Sequence, residues 1–248
     1  MDDKIAIKVS NLSKIYGKNL ILENINLEIK RGSVVCIAGG SGSGKSTLLR
    51  QIIGLEEPNT GEIYISNEKF YPAHHKTREM ISKSFGVMFQ MGGLLASMTL
   101  KENIELLLRN YTSLTDSQIS EIVRIKLSSV GLEGFEEFIP SEISGGMKKR
   151  ASLARAMTLD PEILFFDEPS SGLDPITAAS LDNLIKQLNK ALNTTMVIVT
   201  HDLESIFEIA DIVFLLDNKS HTIIASGNPE DLKNSDNEIV YKFFNRKF

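Results

Sequence analysis

The chain has 248 residues, 42% of them hydrophobic and 24% charged, with no Trp, one cysteine and a formal charge of −5. That is enough apolar chain for one or two domains with a buried core, and it excludes a disordered tail or a fibrous repeat. The acidic balance argues against nucleic acid as a partner, since such binders carry a basic footprint, and the lone Cys36 excludes a disulfide framework or a Cys-rich metal site.

The longest apolar runs, Val34 to Ala38 and Ile212 to Leu216, are five residues each, against the roughly 20 that a spanning helix needs. The start, Met1-Asp2-Asp3-Lys4, has no apolar signal region, and these features together predict a cytoplasmic chain. Ile5, Ile7 and Val9 alternate, as do Ile25, Leu27 and Ile29, which predicts an antiparallel β edge with a turn-like stretch from Asn11 to Leu20. The continuous run Ser33 to Ala38 is β-branched and ends in glycines, so it reads as a strand buried on both faces, with Cys36 in the core. A helix is expected from Thr47 to about Gly54.

His74 and His75 sit in a polar stretch that reads as a solvated loop. From about 97 to 158 the spacing is helical (Leu100, Ile104, Leu107, Leu108; Ile119, Ile122, Val123, Leu127), and an inserted helical subdomain is expected there. Two further buried strands, Ile163 to Phe166 and Met196 to Val199, stop at Asp167 and at Thr200-His201, with a helix from Ala178 to Leu192 between them. Strands alternating with helices predict an α/β fold with a parallel sheet. Ile223 to Leu232 reads as a last strand and a capped short helix. The division expected is a main domain over 1–235 and a tail over 236–248, whose apolar Ile239, Val240, Tyr241, Phe243 and Phe244 suggest a docking segment.

Gly39-Gly40-Ser41-Gly42-Ser43-Gly44-Lys45-Ser46 fits G-x-x-x-x-G-K-[ST] between a buried strand and a helix. Glycines let the backbone N–H groups turn inward toward phosphate oxygens, and the helix N-terminus adds partial positive charge. Lys45 would reach the β- and γ-phosphates and Ser46 would ligate Mg²⁺. Asp167 and Glu168 end a strand at the crevice where parallel sheets bind ligands. Asp167 suits Mg²⁺, and Glu168 suits polarisation of an attacking water.

With these residues in view, nearly the whole chain resembles the ATP-binding-cassette (ABC) ATPases, P-loop proteins with a RecA-like parallel core, an antiparallel β edge and an inserted helical subdomain. Ile143-Ser144-Gly145-Gly146-Met147 resembles the family's signature motif, Ser171-Gly172-Leu173-Asp174 its D-loop, Gln90 its Q-loop glutamine and His201 its switch histidine. Tyr16 resembles the aromatic that stacks on adenine. Met147 stands where the signature commonly has Gln, and Gly172 where the D-loop commonly has Ala. The resemblance implies an ATPase using ATP and Mg²⁺, with Glu168, His201 and Gln90 catalytic and with Ser46, Gln90 and Asp167 at the metal. It implies nucleotide contacts from Tyr16, the 39–46 loop, Thr47, Ser144, Gly145, Gly146 and Asp174. Because the loop and the signature face across a dimer in that family, two composite sites in a head-to-tail homodimer are implied.

Finer wording, at Phe89 to Leu95, Pro140 to Met147 and Gly172 to Thr177, resembles the MlaF-type ATPases, in which Met at the fifth signature position is usual. That subfamily energises phospholipid movement between the inner and outer membranes of Gram-negative bacteria. The resemblance implies a peripheral protein on the cytoplasmic face of the inner membrane, a permease dimer, an MCE-domain lipid-binding protein and a STAS-domain partner. The apolar Met91, Leu94, Leu95 and Met98 between Gln90 and Asn103 are the expected coupling surface. Alternatives are another ABC importer or exporter, or a regulatory complex of the cell-division type.

Overall fold

The computed structural model describes residues 4–247. In chain order it comprises β1 (Ile5–Tyr16), β2 (Asn19–Lys30), β3 (Val34–Gly39), α1 (Lys45–Ile52), β4 (Thr60–Ile65), β5 (Glu68–Tyr71), α2 (His75–Ser82) and β6 (Phe85–Met88). There follow α3 (Leu100–Tyr111), α4 (Asp116–Ser129), a 3-10 turn at Pro140–Glu142, α5 (Gly145–Ala156), β7 (Ile163–Asp167) and α6 (Pro175–Leu192). The last elements are β8 (Thr195–Val199), α7 (Leu203–Ile209), β9 (Ile212–Leu216), β10 (Ile223–Gly227), α8 (Pro229–Lys233) and α9 (Glu238–Phe244).

The strands form two sheets. One has the order β2-β1-β4-β5 and is antiparallel. The other has the order β10-β9-β3-β8-β7-β6, parallel except for the β10–β9 pair. The apolar runs of the parallel sheet are continuous because both of its faces are covered. Val34, Cys36 and Ala38 of β3 face a core built with α3 to α7, while Val35 and Ile37 face a second core shared with α1 and the antiparallel sheet. The same split divides Leu164 and Phe166 from Ile163 and Phe165 on β7, and Met196 and Ile198 from Val197 and Val199 on β8.

Two local readings of the sequence are corrected. The stretch from Asn11 to Leu20 is not a long turn: β1 runs on to Tyr16 and β2 begins at Asn19. Register shifts between Val9 and Leu12, and again at Lys14, break the alternation that would have signalled a continuous strand. His75 opens α2 rather than lying in a loop. The antiparallel sheet also takes in β4 and β5, which the alternation at the start of the chain did not announce.

Helix ends are set by side chains. Thr99 and Thr115 form capping boxes with Glu102 and Gln118, and Ser144, Asp174 and Asn228 cap α5, α6 and α8. At α9, Asn237 accepts from Ile239 and Val240 while Val240 and Phe244 are buried in the first core. The tail's apolar residues are therefore divided, with Ile239 and Tyr241 exposed on the other side.

α6 and α7 are joined by a buried polar contact. The Ser205 hydroxyl donates to Asp182 at 2.6 Å. Burial raises the Asp182 carboxyl to about 6, with Asp202 and Glu208 adding to the rise and the Ser205 hydrogen bond opposing it. The folded protein thus holds this proton at pH values where the unfolded chain has released it. Stability from this group is full below about pH 4 and is lost as pH rises through about 6. Asp182→Asn removes the titration, so urea unfolding should show the wild type losing about 1–2 kcal/mol relative to the variant between pH 4 and pH 8. A constant difference across that range would assign the raised carboxyl no part in stability.

Candidate active site

The carboxyl ends of β3, β7 and β8 are in register: Ile37 and Asp167 both pair with Val199. Backbone bonds continue the alignment past the strands, with Thr200 N–H donating to Ile37 O at 3.2 Å and Glu168 N–H to Val199 O at 2.8 Å. This brings the 39–46 loop, Asp167-Glu168 and His201 to one edge of the sheet. They open onto a cleft of about 1120 Å³ lined by Gly39, Gly40, Ser41, Gly42, Gly44, Lys45, Ser46, Thr47, Gln90, Glu168 and His201.

The loop needs its glycines for space as well as conformation. Gly39 has φ 151°, and a Cβ there would lie 2.4 Å from the Leu216 carbonyl oxygen; Gly44 has φ 92°, with Leu22 2.7 Å away from a would-be Cβ. The Lys45 ammonium curls back to donate to Gly39 O (2.9 Å) and Gly40 O (3.0 Å). Burial lowers its pKa, while Glu168 and Asp167 pull it up. The Ser43 hydroxyl is buried without a hydrogen-bond partner, a donor left for an anion seated on the loop.

Ser46 Oγ and Asp167 Oδ1 lie 3.1 Å apart, two hard oxygens beside the loop. Among the described residues no cluster of three or more His, Cys, Asp or Glu side chains could hold a metal alone. This donor set suits Mg²⁺, which is commonly held by one or two protein oxygens together with phosphates and water. Gln90 Nε2 reaches Ser171 Oγ at 3.4 Å. Glu168 has φ 48°, in the left-handed region that a non-glycine residue adopts at a cost, and its Oε1 lies 2.8 Å from His201 Nδ1.

The remaining motif residues do not line the cleft. Tyr16 is half-exposed at the β1–β2 turn; its ring faces the Lys14 ammonium and its hydroxyl bonds Glu56. Burial, together with the Glu56 bond, raises its pKa, and a bond from Thr47 opposes the rise. Ser144 caps α5, accepting from Met147 N–H at 3.3 Å. Asp174 caps α6, accepting from Ile176 and Thr177 N–H, both at 3.1 Å, and from the Thr177 hydroxyl at 2.6 Å. Gly146 faces Thr177, whose methyl carbon would stand 2.6 Å from an added Cβ, so the signature is packed against the first turn of α6 within one chain.

Sequence reading missed several neighbours. Lys149 donates to the Gln90 carbonyl at 2.7 Å, tying α5 to the Q-loop segment; its position one helical turn beyond Gly145 was the available signal. Burial lowers its pKa and Glu168 opposes that. Lys242, Phe243, Arg246 and Lys247 of the tail also line the cleft.

Residues 22–171 match the family model described as ABC transporter. The chain is 39% identical over 237 residues to the intermembrane phospholipid transport system ATP-binding protein MlaF of Haemophilus influenzae, covering 96% of this chain and 89% of that protein. It is 42% identical over 241 residues to a probable ribonucleotide transport ATP-binding protein, mkl, of Mycobacterium leprae, covering 97% and 69%. It superposes on the ATP-binding cassette MJ0796, solved as a post-hydrolysis dimer with ADP and Pi, with TM-score 0.81, 31% identity, and 90% and 98% coverage.

The chain belongs to the ABC transporter family.

It is an ATP-binding transporter subunit, and its activity is hydrolysis of ATP with Mg²⁺. Its fold is that of the ABC ATPase cassette, as the sequence resemblance implied. In this ABC ATPase the loop's geometry carries a first test. Gly39→Ala puts a methyl group onto the Leu216 carbonyl and should cost about 2–3 kcal/mol of stability, together with loss of ATP binding by calorimetry. Binding equal to wild type would show that the loop does not depend on this close approach.

Proposed function

We propose that this chain is the ATPase of a phospholipid transport system working between two membranes. The observation that carries the reading is the MlaF match, which runs over 96% of this chain and 89% of that protein.

In this reading Lys45 and the loop's N–H groups hold the β- and γ-phosphates, and Tyr16, reached through Thr47, stacks on adenine. Ser46, Asp167 and Gln90 hold Mg²⁺. The metal supplies charge neutralisation on the phosphates. Glu168 polarises the attacking water, and its 2.8 Å contact with His201 keeps both side chains at the γ-phosphate end of the cleft. Catalysis is then positioning and charge stabilisation. Ser144, Gly145 and Gly146 close on the γ-phosphate held by a second copy, with Asp174 crossing the same interface, which accounts for their distance from the cleft of their own chain. The ATP-bound pair forms as nucleotide bridges the two copies, and hydrolysis releases it.

No helix among the described residues is long and apolar enough to cross a membrane, and transport in this reading needs a separate permease dimer. Met91 is 95% exposed, Leu95 and Phe89 are exposed beside it, and Met80 is exposed on α2; Leu94 instead packs against the core. An apolar surface of this kind suits a permease loop. The partners proposed are that permease, an MCE-domain lipid-binding protein and a STAS-domain protein, at the cytoplasmic face of the inner membrane. The match to mkl favours a second reading, import of another cargo, because cargo is chosen by the membrane partner and not by the cassette.

The test is capture of tagged Glu168→Gln protein from detergent-solubilised membranes. That variant should keep ATP binding and lose hydrolysis by about 100-fold or more. A permease, an MCE protein and phospholipid should co-purify. A permease with a periplasmic solute-binding protein, or no lipid, would replace the phospholipid assignment with the second reading.

A further inference from the structure

The tail enters the nucleotide cleft. Lys242, Phe243, Arg246 and Lys247 line it together with the phosphate loop. Arg246 also borders the adjoining depression formed by Glu168, Ser170, Ser171, His201, Asp202 and Leu203. We propose that this segment is part of the nucleotide site, and that Lys242, Arg246 and Lys247 supply positive charge to the triphosphate of bound ATP. The inference rests on the placement of ATP at residues 39–47 proposed above.

The segment is held in place. Val240 and Phe244, one helical turn apart, are buried, and Phe244 packs edge-on against Phe207 of α7, ring centroids 6.1 Å apart. Asn245 Nδ2 donates to Lys233 O (2.8 Å) and Tyr241 O (2.9 Å), fixing the end of α9. With that face anchored, the neighbouring face, spaced Lys242, Phe243, Arg246, is directed to the cleft.

Among the described lining residues the other formal charges are Lys45 and Glu168, which cancel. An ATP molecule brings several negative charges, and the tail adds three cations to a lining whose remaining side-chain charges balance. The tail cations are held by exchangeable partners. Arg246 pairs with Glu204 at 3.1 Å and Lys242 with Glu238 at 2.9 Å, all four side chains largely solvent-exposed, and Lys247 donates to the Tyr241 hydroxyl at 2.8 Å. Exposed pairs of this kind hold weakly, whereas a phosphate oxygen offers a charge-assisted bond. Arg246 stands on the side of Glu168 and His201, so the γ-phosphate should benefit most.

The test uses the full chain, with a non-hydrolysable ATP analogue and ADP titrated by calorimetry at low and high salt. Replacing Lys242, Arg246 and Lys247 together by Gln should weaken analogue binding by about tenfold and ADP binding by less, and should flatten the salt dependence. The charge-conserving set Lys242→Arg, Arg246→Lys and Lys247→Arg should restore both, which a purely structural tail would not require. Analogue affinity and salt dependence unchanged in the Gln variant overturn the proposal. Lys45→Ala separates the two readings. If it abolishes binding while the Gln variant binds normally, the ATP site stands and only the tail's part in it falls. Undiminished binding in Lys45→Ala removes the site and the tail proposal together.

Discussion

The alignment of three parallel strand ends is the constraint on which the rest depends. β3, β8 and β7 are neighbours in one sheet, and their pairing sets Ile37, Val199 and Asp167 at a common level. A slip of one residue in any of them would turn every side chain of that strand to the opposite core. It would also move Gly39, Asp167 or His201 along the strand axis by roughly 3.3 Å, the rise of one residue. The register that keeps two hydrophobic cores dry is therefore the register that holds the phosphate loop, the two acids and the histidine together. Folding energy and site geometry are enforced by the same pairing.

The helices transmit this alignment outward. α5 approaches β6 closely enough that a Cβ on Gly86 would lie 2.0 Å from the Ala156 carbonyl oxygen, so a side chain there would push the signature helix off the sheet. Lys149 then ties the same helix to the Gln90 carbonyl. On the far side, α6 leaves the D-loop and α7 leaves His201, and the Ser205–Asp182 bond joins them. A displacement at Gln90 would thus be felt at α5, and one at His201 would be felt through α7 at α6.

The sequence showed the parallel core plainly because two-sided burial leaves an unbroken apolar run, and Val34 to Ala38, Ile163 to Phe166 and Met196 to Val199 all read that way. The phosphate loop and the acid pair were legible because their chemistry is local: each lies within a few residues at the end of a strand. The antiparallel sheet was only half legible. Bulges at Asn11 and Leu12 hid the length of β1, while Thr60, Gly61 and Glu62 dilute the alternation of β4, and β5 has only four residues. The tail's place could not be read from its composition. Ile239, Tyr241 and Phe243 look the same as Val240 and Phe244 in sequence, and only the three-dimensional packing says which of them point inward.

The separation of the signature from the cleft follows from this same architecture. Gly146 is packed against Thr177 of α6, and Asp174 caps the start of that helix. Nothing in one chain folds α5 back over its own phosphate loop without breaking that packing. Ser144 opens α5, where its hydroxyl takes the Met147 N–H, and Asp174 opens α6, where its carboxylate takes the Ile176 and Thr177 N–H groups; the partial positive charge of a helix N-terminus is therefore left at α5, while the Asp174 carboxylate offsets it at α6. An anion held on the loop of a second copy is a ligand such a surface could complete. If the pair proposed above forms, the γ-phosphate is the group that both copies contact, and hydrolysis, which frees that phosphate from the nucleotide, removes what holds them together.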